Sequence, residues 1–130
     1  MTVRIRLITF DCKEPYKLSL FWSALTGYAE KPDDPNLPEH VEAALISPDG
    51  GPTLLFQRVQ EAKQVKNRVH LDLCPPDSDP ATRDAELERI LALGATIVED
   101  HRRPENNEGW ITLADPEGNE FCLERGTAGG

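Results

Sequence analysis

The chain has 130 residues, a formal net charge of −9 at pH 7, 38% hydrophobic and 28% charged residues. A chain of this length is expected to fold as one domain, residues 1–130, without staples. Its acidic balance argues against nucleic acid and an anionic membrane surface as partners, since both demand clustered Lys and Arg, and no run of about 18 apolar residues spans a bilayer.

In chain order, RIRLITFD (residues 4–11) is apolar and β-branched and reads as a strand. Leu18, Phe21, Trp22 and Leu25 follow at helical spacing, closed by Gly27 as a left-handed cap. EKPDDPNLPE (residues 30–39), rich in proline and acid, reads as an exposed loop. HVEAALIS and TLLFQRV are strands joined by the turn SPDGG. RVHLDL then opens a second series, with Val69, Leu71 and Leu73 on one face and His70 and Asp72 on the other. DPATRDAELERILALG is its helix, with Leu87, Ile90, Leu91 and Leu93 inward and Gly94 as cap. ATIVED, WITLA and EFCLER are strands, the last two joined by the turn DPEGN, and GTAGG (residues 126–130) is a frayed tail.

The two series are copies. At an offset of 67 residues Gly27 meets Gly94, Gly51 meets Gly118, Gln57 meets Glu124 and Arg58 meets Arg125. Each half is therefore expected to run strand, helix, strand, strand, strand. The expected fold class is α+β: two tandem βαβββ modules, about residues 1–60 and 66–125, whose curved mixed sheets enclose a cleft. The start, MTVRIRLITF, has no apolar leader core and points to the cytoplasm. Cys12, Cys74 and Cys122 are too few for a disulfide framework and fit a reducing compartment.

Strict alternation puts Leu7, Thr9 and Asp11 on one face. His70 reads either as a hydrogen-bonded pocket histidine or as a general base. Cys122, between Phe121 and Leu123, reads as a small buried residue; the nucleophile reading requires a cation that lowers its pKa. Gln57 and Glu124 offer an amide and an acid at strand ends. Trp110, after Gly109, either caps a ligand or packs under a loop, while His40 and His101 read as loop surface. Phosphate-loop, dinucleotide, HExxH, CxxC and GxSxG motifs are absent from the sequence.

FWSALTGY, the matching LALGA and above all LADPEGNEFCLE resemble segments of the vicinal oxygen chelate superfamily, in its small glyoxalase-like group. The resemblance covers nearly the whole chain. It implies a small organic ligand held by a pocket lined by Leu7, Thr9, Asp11, Leu55, Gln57, His70, Asp72, Trp110, Cys122 and Glu124. In metal-dependent members it also implies one ligand from the first and one from the last strand of each half. Those positions fall here on Leu7, His70, Leu55 (Leu54 if the register slips by one) and Cys122. Leucine has no electron pair to give, so the expectation is a binding protein without metal or other cofactor. The alternative is a lyase, isomerase or dioxygenase with His70 as acid–base, or with a residual divalent metal held by His70, Asp72, Cys122 and Glu124. An open edge in each sheet suggests a homodimer.

Overall fold

The computed structural model describes residues 1–126. The chain divides into two compact units, Met1–Lys63 and a second that begins at Gln64. Among the described residues no helix is long and apolar enough to cross a membrane.

In the first unit β1 (Leu7–Cys12) leads to α1 (Pro15–Thr26), β2 (Glu42–Leu45) and β3 (Thr53–Arg58). Proline, needing no N–H, starts α1, and Gly27 ends it at φ 79°. The sheet order is β1-β3-β2, with β1 parallel and β2 antiparallel to β3. Alternation sends Phe10, Cys12, Leu54, Phe56, Ala43 and Leu45 to the face under α1. There Leu18, Phe21, Trp22 and Leu25 of the helix are buried. Phe10, Trp22 and Phe56 form an aromatic cluster with centroids about 5 Å apart, Phe10–Trp22 at 5.0 Å and Phe10–Phe56 at 5.1 Å. Each large side chain withdrawn from water here contributes about 1.5–3 kcal/mol.

Of the three strands expected after the helix, the first is not formed in this unit. Its place is reduced to a single antiparallel bridge between Ala29 and Ile46. Pro32, Pro35 and Pro38 cannot donate to a ladder, so the segment loops out. The Asn36 side chain then stands in for a strand: its Nδ2 donates to the Ala44 carbonyl at 2.9 Å, and its Oδ1 accepts from the Ala44 N–H at 3.0 Å. The outer edge of β2 is thereby closed by one amide.

The second unit has the full complement: β4 (Leu71–Leu73), α2 (Pro80–Ala92), β5 (Thr96–Asp100), β6 (Trp110–Ala114) and β7 (Glu120–Glu124). Its sheet runs β4-β7-β6-β5, with β4 parallel to β7 and the other pairs antiparallel. Asp79 caps α2 by accepting from the Ala81 N–H at 2.9 Å. Leu87 and Ile90 are buried as expected, and so is Arg83, a charge on the inward face that the apolar pattern does not announce. Its guanidinium pairs with Asp84 at 3.1 Å and points Nη1 toward the carbonyls of Asn107, Glu108 and Gly109 at 3.4–3.5 Å. In the DPEGN turn the buried Asp115 carboxylate accepts from the N–H groups of Glu117 and Asn119, at 2.8 and 3.0 Å, and from the Asn119 side chain. That sequence is thus a turn-building device.

Two finer expectations are corrected. The turn glycine in the left-handed region is Gly50 (φ 82°), matching Gly118 (φ 90°), while Gly51 is not left-handed, so the first turn carries one extra residue. Gly126, expected in the tail, is buried, and a Cβ there would overlap the carbonyls of Pro75 and Asp77. Residues 127–130 of the expected tail lie outside the described residues.

Candidate functional site

The register settles the repeat. Thr9 pairs with Leu55 on parallel strands of the first sheet, and Asp72 pairs with Cys122 on parallel strands of the second. Leu7 and His70 each lie two residues earlier on the same face, so Leu7, Leu55, His70 and Cys122 occupy matching places in their own sheets. Leu54 is not the counterpart of Cys122: it is 4% exposed and belongs to the helix-covered face.

In the first unit, Leu7, Thr9 and Asp11 share the face away from α1 with Thr53, Leu55 and Gln57, their direct partners. Ala44 lies beside Leu55 and Glu42 beside Gln57. The structure thus brings together the five expected residues of this half, and the polar groups among them cluster at the Asp11–Gln57 end. A hollow of 310 Å³ reaches Leu55 and is bounded by Lys31, Asn36, His40, Val41 and Glu42.

In the second unit the face away from α2 has rows of matching residues. Asp72, Cys122, Thr112 and Glu99 lie side by side across four strands. Glu124 and Trp110 form the next row, continued by His101, whose N–H donates to the Trp110 carbonyl at 2.8 Å. His70 and Glu120 lie at the other end. These groups line a hollow of 470 Å³, together with Lys66 and Val98. All five expected residues of this half are in it: His70, Asp72, Trp110, Cys122 and Glu124. A second hollow of 640 Å³ shares Trp110 and Glu124 and is lined by Arg103, Glu108 and Arg125.

His101 and Glu99 were not anticipated. His101, read from sequence as loop surface, stacks on Trp110 with centroids 4.5 Å apart and 27° between planes, and its Nε2 lies 3.3 Å from a Glu99 oxygen. A bulge between Ile97 and Glu99 shifts the parity of β5, so counting by twos along ATIVEDH misplaces both residues.

Charge pairs order the rest of the face. Glu120 accepts from the Asn67 N–H at 2.7 Å and holds the Lys66 ammonium at 3.4 Å. His70 Nε2 lies 3.2 Å from an Asp72 oxygen. One donor atom each from His70, Asp72 and Cys122 falls within 4.8 Å of the others. Cys122 is buried, its sulfur 3.5 Å from the Thr112 hydroxyl. Burial pushes its thiol pKa up; the hydrogen bond with Thr112 opposes this in part, and the negative charges of Asp72 and Glu124 add to the rise. A thiol so placed stays protonated at neutral pH, and the structure gives no support to Cys122 as a nucleophile.

Two small α+β units with matching faces define the glyoxalase-like class. A family model described as a glyoxalase-like domain matches residues 7–124, and the chain belongs to that family, within the vicinal oxygen chelate superfamily. No curated protein matches significantly. Among solved structures, a mutant of the fosfomycin resistance protein FosX from Listeria monocytogenes, complexed with Mn(II) and a dihydroxypropylphosphonic acid, is 18% identical; the match covers 98% of this chain and 92% of that one, with a TM-score of 0.69. FosX from Mesorhizobium loti is 18% identical over 99% of this chain and 96% of its own, with a TM-score of 0.70. A glyoxalase/bleomycin resistance protein/dioxygenase family enzyme from Burkholderia phytofirmans PsJN is 16% identical over 93% and 97%, with a TM-score of 0.71. At these identities the likeness is one of fold.

Proposed function

We propose that this protein binds a small organic molecule and has lost the four-ligand metal centre of its superfamily. One observation carries the reading: Leu7 and Leu55 stand in the first sheet where His70 and Cys122 stand in the second. Hydrocarbon side chains hold no cation, and a catalytic Zn²⁺ site needs three protein donors and an open position. The residues present do not fit a four-ligand centre. The hollows of the second unit, at 470 and 640 Å³, have the size of small-molecule sites. The cytoplasm is the compartment proposed, in keeping with a sequence that has too few cysteines for a disulfide framework.

The test is elemental analysis of protein produced with added Zn²⁺, Ni²⁺ or Mn²⁺, alongside thermal denaturation with each ion. No stoichiometric metal and no rise in melting temperature are expected, because an ion that bound only the folded state would raise it. Native mass spectrometry of protein from its own host should show a co-purifying organic mass; protein that carries none and binds no member of a metabolite library would defeat the binding reading.

A second reading rests on the convergence of His70, Asp72 and Cys122. Imidazole, carboxylate and thiolate are all ligands that zinc accepts, and His70 next to Asp72 is also an acid–base pair. Stoichiometric zinc that vanishes on His70→Ala would favour this enzyme reading over the first.

We also propose a homodimer. β5 is an edge strand exposed along its whole length, Ile97 and Val98 included, and an open edge of this kind is a template for strand pairing.

A further inference from the structure

We infer that the ligand is an organic cation with a planar ring, the ring held against Trp110 and the charge directed at Glu99 and Glu124. This rests on the small-molecule reading above and adds the chemical class.

The first argument is charge. The 470 Å³ hollow collects the carboxylates of Asp72, Glu99, Glu120 and Glu124 against one ammonium, Lys66, and two imidazoles, His70 and His101. Four acids face at most three cations, so the balance stays negative whatever the protonation of the imidazoles. Lys66 is moreover engaged by Glu120. An anion entering this face meets like charge, while a cation is steered in.

The second argument is the aromatic wall. Trp110 is 36% exposed and lines both hollows, although indole rings are mostly buried. Indole is the best of the side chains at attracting a cation over its face. The protein already makes the proposed contact internally: the flat nitrogen heterocycle of His101 stacks on Trp110 while its Nε2 faces Glu99 at 3.3 Å. A ligand ring lying on the remaining indole surface would meet the same combination, with Glu124 as the acid, since Glu124 is the cross-strand partner of Trp110.

The third argument is direction. Beyond Trp110 the larger hollow sets Arg103 and Arg125 against Glu108, with Glu124 shared between the two hollows. The positive end of the ligand therefore belongs in the smaller hollow, at Glu99 and Glu124, and any anionic substituent belongs toward Arg103 and Arg125.

The experiment titrates the full-length protein with N-methylquinolinium, quinoline and a quinoline carboxylate at pH 7.5 by calorimetry, in low and in 0.5 M salt. The three share ring size and differ in charge. The cation should bind at least about ten-fold more tightly than the carboxylate, and its advantage should shrink in high salt. Trp110→Ala should weaken cation binding about ten-fold while Trp110→Phe keeps most of it. The double variant Glu99→Gln/Glu124→Gln should remove the preference for the cation and leave quinoline unaffected; circular dichroism and melting curves establish that each variant folds. Equal or tighter binding of the carboxylate, or an undiminished cation preference in the double variant, overturns the inference while leaving a small-molecule site on this face. No binding by any of the three also overturns it, and the native mass spectrum then decides the broader reading independently.

Discussion

At the level of single residues, two positions decide how the second sheet works. Cys122 looks like a nucleophile in composition and is the reverse in environment, because burial and the carboxylates of Asp72 and Glu124 favour the protonated thiol. Cys74 is exposed. Iodoacetamide at pH 7.5 should therefore modify Cys74 first, with Cys122 at least about ten-fold slower, as mass mapping of a time course would record. Cys122 reacting as fast as Cys74 would contradict the assignment. Gly109 acts on the site through the backbone. Its φ of 89° is left-handed, and a Cβ would overlap the His101 carbonyl oxygen, so no side chain fits without prising His101 from Trp110. Gly109→Ala is expected to cost about 2–4 kcal/mol in urea denaturation, combining left-handed strain with the displaced backbone. It should also alter the near-ultraviolet signal of Trp110.

At the level of elements, the buried Arg83 ties α2 to the segment that presents the aromatic wall. It is 2% exposed and reaches three successive carbonyls, while Asp84 also pairs with Arg102, itself bound to Asp100 at 2.6 Å. Arg102 in turn holds the Asp100 carboxyl below its usual range. Arg83→Ala should destabilise the protein by about 2–4 kcal/mol by leaving these groups without their donor. Hydrogen exchange should accelerate first in residues 101–110. A loss spread evenly over the second unit would argue against this anchoring role. Much of this architecture is legible in the sequence, because helix periodicity, Gly27 and the DPEGN turn are local signals. The missing strand of the first unit is not. HVEAALIS carries the apolar content of a strand, and only the prolines of residues 30–39 hint that no full strand pairs beyond it. His101 and Glu99 were hidden for another reason: a bulge breaks the period of two on which face assignment depends. Arg83 was hidden because a charge on an apolar helix face becomes intelligible only when the carbonyls it serves are in view.

At the level of the whole molecule, the repeat matches in the register of its paired parallel strands, is one strand short in the first unit, and is unequal in chemistry. The five expected residues of the first unit include two leucines, whereas those of the second include an imidazole, a thiol, an indole and two carboxylates. The proposed dimer belongs to this scale: sedimentation equilibrium should give twice the mass of one chain, and Val98→Lys on the β5 edge should return it to one, since charge on an edge strand opposes pairing. A wild-type mass of one chain would rule the dimer out. The clamp at the base of the β5–β6 connection also leaves the end of that loop free to vary. Arg83 and Gly109 fix where that connection leaves and rejoins the sheet, while its tip, residues 104–106, is exposed to solvent. Insertions and randomised cassettes belong at that tip, where diversification beside the proposed site comes at little cost in folding.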